Sequence, residues 1–448
     1  KLRQDAGFVA HIEGPTYAQP LYVENAAGGK KLLIVATEQN LVYGLNADTG
    51  AQLWRASLGA PVPLEKLPCG NISPLGITGT PVIDLGSRTV FLDAMTTPDG
   101  GRTKQHKIYG LSIDDGRARP GWPFDVGAKV EAGGVKFDSA VQNQRPGLAL
   151  LDGVLYVAYG GHYGDCGDYR GWVLGLPLRD PYRYNAWVAG ARGGAVWAPG
   201  ALVVADNALF ATTGNTVGAV TWSGGEAILK FNAGSSFNAT PTDYFAPADW
   251  KTLDAQDLDL GGSNAVPVNL SHGDPARLMV AFGKNGKAYL TNRTGLGGIS
   301  DGVASLAVAA DPIITAPASY STDDAVYIFF KGQGIGCPKN QAGDLVALKV
   351  VSGTPPAMKV EWCARQNGMG SPIVTTSDAS GSNPIVWSVG AEGDNRLRGF
   401  EALSGRLVFE SGEKAGAMTN VRRYQTPIIA GGHLFVAADD RVFRFSPP

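Results

Sequence analysis

The feature that most constrains this chain is a proline-led unit that recurs along its length. It reads AQPLYV at Pro20, GTPVID at Pro81, QRPGLAL at Pro146 and WAPGALVV at Pro199. It continues as NAVPVNL at Pro267, ITAPASYS at Pro317, GSPIVTT at Pro372 and QTPIIAG at Pro427. These eight prolines stand 50 to 68 residues apart. Periods of this size mark arrays of supersecondary units. Proline suits the start of a strand, where its missing N–H removes no ladder hydrogen bond. Most units pass through a turn into a second β-rich run, such as LLIVAT, TVFLDA, VLYVAY or AVYIFF, and then into further strands such as LVYGLNA. Each unit is therefore expected to be a four-stranded antiparallel blade. Eight of them around an axis make an all-β, eight-bladed propeller. The last unit ends at RVFRFSPP and is one strand short. An N-terminal strand over residues 6–14 is expected to join it, completing blade 8 and closing the ring. Residues 1–448 are then a single domain.

Composition agrees with many short strands and turns: 61 glycines and 28 prolines. Charged residues make up 17% and the formal net charge is -2, with no basic run, which argues against a nucleic-acid partner. No apolar run approaches the roughly 18 residues of a membrane-spanning helix. No leader-like segment opens the sequence, so residue 1 is read as the start of a mature or trimmed chain. A monomer is expected.

In a propeller, the end of each second strand and the start of each inner strand share one rim. Second-strand ends bring Glu38, Asp93, His162, Asn215, Lys284, Lys331, Glu392 and Asp439 there. Inner-strand starts add Tyr17, Arg145, Trp197, Arg423 and Gln425, among others. A polar funnel of this kind is the default place for a small-molecule or glycan ligand.

Residues 47–54 read ADTGAQLW, and Trp54, Trp122, Trp187 and Trp362 fall at similar places near blade ends. This resembles the tryptophan-docking repeat of the quinoprotein alcohol dehydrogenases, in which an outer-strand Trp packs between blades. The resemblance extends to the rim. GGAVW followed by TTGN in blade 4 implies Trp197 as the floor under a quinone and Asn215 as a calcium ligand. KNGKAYLTNR in blade 5 implies Lys284 as the cation beside the quinone oxygens. QDLDL implies Asp257 as catalytic base and as a metal ligand. GGHYGDCGDYRG in blade 3 keeps the glycines and the Arg170-Gly171 pair, with Arg170 and Arg145 as further cofactor-binding cations. The implied cofactors are pyrroloquinoline quinone (PQQ) and calcium. The sequence also departs from the pattern. His162 stands where the family has an acidic ligand, which suits a hard cation poorly. No adjacent cysteine pair and no CxxCH haem motif occur.

YAQPLYV, VATEQNLVYGLNADTG, GITGTPVID and VGAEGDNRLRGF are similar to segments of bacterial extracytoplasmic propellers. That implies a periplasmic or secreted protein and leaves its activity open. The four cysteines permit two disulfides or four buried thiols. The blade layout favours Cys69–Cys166, on one rim, and Cys337–Cys363, within blade 6. The first bridge would pin a lid over the funnel.

Three functions are compatible with these residues. One is a quinone- and metal-dependent oxidoreductase acting on an alcohol or sugar. The second is a non-catalytic binding scaffold. The third is a carbohydrate-active lyase or hydrolase using His162 as catalytic acid or base, with rim arginines neutralising a carboxylate.

Overall fold

The structure is a computed structural model that describes residues 2–26, 28–232, 237, 240, 242–378, 380–412 and 417–447. Eight antiparallel blades follow one another in chain order. Blade 1 is Leu21–Ala26, Lys30–Ala36, Leu41–Asn46 and Gln52–Ser57. The inner strands of blades 2 and 3 begin at Val82 and Ala149, just after Pro81 and Pro146. Those of blades 6, 7 and 8 begin at Ala318, Ile373 and Ile428, each directly after its proline. Blade 5 differs slightly, because Pro267 lies inside its inner strand, Val266–Asn269. That strand pairs on one side only. Its free side needs no N–H, so proline is tolerated one residue later.

Blade 8 has three strands of its own, Ile428–Ala430, His433–Ala437 and Arg441–Ser446. The N-terminus supplies the fourth, as expected, but in two pieces. Arg3–Gln4 pairs with Phe445–Ser446, and Ala10–His11 pairs with Arg441–Val442. Between them, Asp5 accepts from Gly7 N at 2.9 Å and turns the chain. Phe8, Ala10 and Ile12 are buried while Val9 and His11 are exposed, the alternation of a half-buried strand. Arg444 holds the junction. Its guanidinium donates to the Asp5 carboxylate and to the backbone oxygens of Ala47 and Asp48 in blade 1, and it lies 4.6 Å from the Phe8 ring.

The core is divided. Each pair of neighbouring blades encloses its own apolar cluster: blades 1 and 2 share Ile34, Trp54 and Leu92, and blades 5 and 6 share Phe282 and Phe330. The outer-strand tryptophans dock as the repeat implies. Trp54 donates to Ile113 O of blade 2 at 3.0 Å, and Trp362 donates to Ala402 O of blade 7 at 2.8 Å. Both rings lie flat against a glycine of the next blade. A Cβ on Gly116 would come 2.6 Å from Trp54, and one on Gly405 would come 2.7 Å from Trp362. Both glycines also have φ near +71°, so two independent reasons exclude a side chain there. Trp122 instead packs within its own blade, against Gly110 and Phe91.

Beneath the rim, a buried polar group joins blades 2 and 3. His106 Nδ1 meets Asp93 Oδ1 at 2.7 Å, and Nε2 meets Gln142 O at 3.0 Å. Tyr159 OH donates to Asp93 Oδ2 at 2.9 Å. A carbonyl oxygen can only accept, so both ring nitrogens of His106 carry protons. Burial opposes that charge, but the attraction and hydrogen bonds of Asp93 outweigh it and raise the His106 pKa above its usual 6.5. A raised pKa stabilises the fold below the unfolded value of about 6.5, and the contribution disappears as pH rises through the folded value. Urea unfolding should therefore show stability falling as pH is raised from 6.5, with His106→Asn less stable at acidic pH and flatter above it. An unchanged slope in the variant would remove His106 as the cause.

Candidate functional site

Two of the expected rim residues lock blades together and leave the funnel to others. Glu38 is buried, accepting from Gly76 N at 2.6 Å and from the Thr78 hydroxyl at 2.8 Å. Burial pushes it up to about 7. Asp93 is held by His106 and Tyr159. Lys331, Asp439 and Gln425 also lie outside the lining, held by Asp311, Arg422 and Thr16 O, and the rest of the rim opens on a cavity of about 620 Å³. It is lined by Arg145, His162, Trp197, Asn215, Asp257 and Lys284, together with Tyr17, Glu392 and Arg423 from the opposite side. Five of the six expected cofactor or metal residues therefore converge there: Trp197, Lys284, Arg145, Asn215 and Asp257.

Arg170 is the sixth, and it is not among the lining residues. Its Nη1 donates to Ala189 O at 3.1 Å, and its backbone N–H donates to Gln142 Oε1 at 3.0 Å. It therefore braces the connection between blades 3 and 4, whereas the sequence pattern had made it a cofactor-binding cation. Its place in the loop is right, but the strand end that follows turns the side chain toward the backbone.

Trp197 forms part of the floor. Its indole packs against Gly214 and Gly262, where added Cβ atoms would lie 3.0 and 3.2 Å away. The ring remains partly exposed. Arg145 lies 5.6 Å from its centroid and Lys284 Nζ 5.3 Å. A ring flanked by cations is a favourable surface for a flat, electron-rich anion.

The acidic side of the site starts at the short helix Trp250–Gln256. Asp254 anchors it, accepting from the backbone N–H and hydroxyl of Thr216 at 2.8 and 2.5 Å. The helix stops at Asp257, which is left-handed with φ 54° and donates its N–H to Leu253 O. Asp is one of the few residues that tolerate this turn. Leu258 follows, and Asp259 is turned inward and buried. Asp259 was not singled out in the sequence, yet it is the hub. Its Oδ1 accepts from Asn215 N at 2.7 Å, its Oδ2 faces Lys284 Nζ at 2.7 Å, and its carbonyl accepts from Lys284 N at 2.9 Å. Lys284 Nζ also reaches Asp257 Oδ1 at 2.8 Å. The second Asp of QDLDL was the available signal, two residues on from the one chosen. Glu226 lies behind, fully buried, accepting from Leu260 N at 2.6 Å, and its Oε1 has no hydrogen-bond partner among the described residues. Burial raises both carboxyls, and Lys284 offsets this for Asp259.

His162 lines the cavity, but its chemistry is restricted. Nε2 is 3.2 Å from Ala140 O, an acceptor only, so the ring's one neutral-state N–H is committed there. Burial pulls its pKa down to about 4, leaving it uncharged near neutral pH and without a proton to give as an acid. This argues against His162 as the catalytic acid of a lyase or hydrolase.

Of the four cations facing the cavity, three are paired. Lys284 holds Asp257 and Asp259, Arg422 holds Asp439 at 2.8 Å, and Arg423 holds Glu392 at 2.7 Å. Arg145 has no ion pair among the described residues, and its Nε is buried without a hydrogen bond.

Both disulfides form with the expected connectivity, Cys69–Cys166 and Cys337–Cys363. The first ties the loop carrying Asn71 and Ile72 to the segment Tyr163–Asp165, all of which line the cavity. Arg192 fastens the same segment, donating to Gly167 O at 2.7 Å and Asp165 O at 2.5 Å. The bridge spans 97 residues, and closing a loop near that length is worth about 3–5 kcal/mol in the chain-entropy picture. Replacing both Cys69 and Cys166 by Ser should lower the unfolding free energy by about that much. It should also admit protease at Tyr163, which is already exposed. A variant with unchanged denaturation and cleavage would show that the lid holds without its bridge.

No protein-family model matches this sequence, and no curated protein matches it. Solved structures do. The quinohemoprotein alcohol dehydrogenase from Comamonas testosteroni is similar with a TM-score of 0.63 at 13% identity, over 100% of this chain and 78% of that one. BamB from Moraxella catarrhalis gives 0.56 at 13% identity, over 99% of each chain. A europium-containing methanol dehydrogenase gives 0.50 at 14% identity, over 97% of this chain and 77% of that one. At such identities the likeness is one of fold. The chain is an eight-bladed β-propeller with the fold of the quinoprotein alcohol dehydrogenases.

Proposed function

We propose that this protein is an extracytoplasmic propeller that binds a flat anionic molecule in its funnel and works as a quinone-dependent oxidoreductase on an alcohol or sugar. The observation that carries the reading is Arg145, the one unpaired cation among the described residues of the cavity, standing beside the partly exposed ring of Trp197. An unpaired guanidinium facing a cavity is suited to the carboxylate of a ligand, which it can bind through two parallel hydrogen bonds. PQQ, planar and acidic, fits this floor and this charge. The two disulfides and the lack of any helix long and apolar enough to cross a membrane, among the described residues, are compatible with a periplasmic or secreted location.

In this reading Trp197 stacks under the ligand and Arg145 pairs with its carboxylate. A bound quinone would supply the two-electron acceptor that the side chains lack. Asp257 is the carboxylate open to a substrate, with its side chain 62% exposed, and it would take the hydroxyl proton. Lys284 orients it through the 2.8 Å contact. The lid of residues 163–165 limits water above the site.

Titration with PQQ, read by quenching of tryptophan fluorescence, tests this directly. Saturable binding is expected, about 10- to 100-fold weaker in Arg145→Met, the range for losing a charge-assisted pair. Trp197→Ala should weaken it comparably and remove part of the quench. Binding that is absent from the wild type, or equal in Arg145→Met, overturns the reading.

A further inference from the structure

Calcium takes six to eight oxygen ligands in a flexible shell. The resemblance would draw those ligands from Asn215, Asp257 and an acidic residue of blade 3. In this chain the space between the carboxylates is already filled. Lys284 Nζ stands 2.8 Å from Asp257 Oδ1 and 2.7 Å from Asp259 Oδ2. We infer that the Lys284 ammonium is the resident cation of the funnel, that it keeps divalent ions off the Asp257–Asp259 pair, and that ligand binding on Trp197 is therefore independent of metal.

Four observations support this. Lys284 is fixed at its base. Its N–H donates to Asp259 O at 2.9 Å, and the tight turn after it needs Gly286 at φ 71°. The ammonium is therefore delivered to the carboxylates by the hairpin itself. Asp259 has little left to offer a metal, since its Oδ1 accepts from Asn215 N at 2.7 Å while Oδ2 faces the ammonium. The blade 3 position carries His162, which can offer only a ring nitrogen where calcium takes oxygen ligands. Finally, among the described residues no group of three or more His, Cys, Asp or Glu is arranged to hold a metal. Glu226 and Asp254, the other acids that interact with Asp259, do not line the cavity. A divalent ion at the carboxylate pair would also lie against a fixed ammonium, which like charge forbids. Only the last clause of the inference, on ligand binding, rests on the quinone reading.

Calcium alone decides the first part. The full chain is titrated with calcium chloride by calorimetry, and with terbium, whose emission is sensitised by a nearby tryptophan. The wild type should show no saturable binding. Lys284→Ala should gain one-to-one binding at least about tenfold tighter than any wild-type signal, because the two carboxylates are freed. Adding Asp259→Asn should abolish the gain. Lys284→Met, which keeps the aliphatic stem, gives the same test should the alanine variant not fold. Saturable calcium binding by the wild type that Asp259→Asn weakens overturns the inference, as does a failure of both folded Lys284 variants to gain binding. PQQ titration in chelator and in calcium decides the second part, with equal affinities expected. Binding that requires calcium overturns the inference and leaves the quinone reading intact. If PQQ binds under neither condition, the quinone reading falls and the calcium titration alone judges Lys284.

Discussion

The fold depends on one contact type: a flat indole of one blade pressed on the bare backbone of the next. A blade alone cannot bury its faces, and the apolar clusters here lie between neighbours. Trp54 and Trp362 register adjacent blades by one hydrogen bond each and by a glycine that has no room for Cβ. These contacts register blade 1 on blade 2 and blade 6 on blade 7, and apolar clusters register the other neighbours, so blade packing sets where the funnel residues sit. The rim is a by-product of blade packing, divided between groups that lock blades and groups that face the cavity.

The division explains the electrostatics of the site. Glu38, Asp93 and His106 spend their hydrogen bonds between blades 1, 2 and 3. Asp257, Asp259 and Lys284 form a compact charged knot on one side of the cavity, and Arg422, Arg423, Glu392 and Asp439 form a paired set on the other. Between them Arg145 and Trp197 are left with unused binding capacity. Arg145 is the one cation of the lining without an ion pair among the described residues, and Asp165 is a lining carboxylate that likewise has none.

Much of this was legible in the chain. The prolines announced the blades because a strand start is one of the few places that accepts them. ADTGAQLW announced the docking indole, Cys69–Cys166 followed from loops sharing a rim, and Cys337–Cys363 from two cysteines of one blade. What escaped the sequence depended on which way a side chain turns. Asp257 and Asp259 are two residues apart, and nothing local tells which is exposed and which becomes the hub. A left-handed residue at the helix end settles it. Arg170 shares its loop with the cavity lining, yet it points at Ala189 O. The N-terminal strand was foreseen over residues 6–14, whereas pairing is made by Ala10–His11 within that run and by Arg3–Gln4 before it, with Asp5 turning the chain between them to meet Arg444.

That meeting has a consequence for how the protein comes into being. Arg444 and Asp5 are 439 residues apart, so the ring is sealed by a contact between two segments far apart in sequence. Without that contact blade 1 and blade 8 each present an uncovered apolar face, and Arg441–Ser446 has no partner on its outer side. Contacts of such long range form late and slowly. A chain whose blades had formed but whose ends had not met would be an open crescent with these faces exposed. Its vulnerability to aggregation is concentrated in that state, and a folding helper that shields the first blade would act where it counts most.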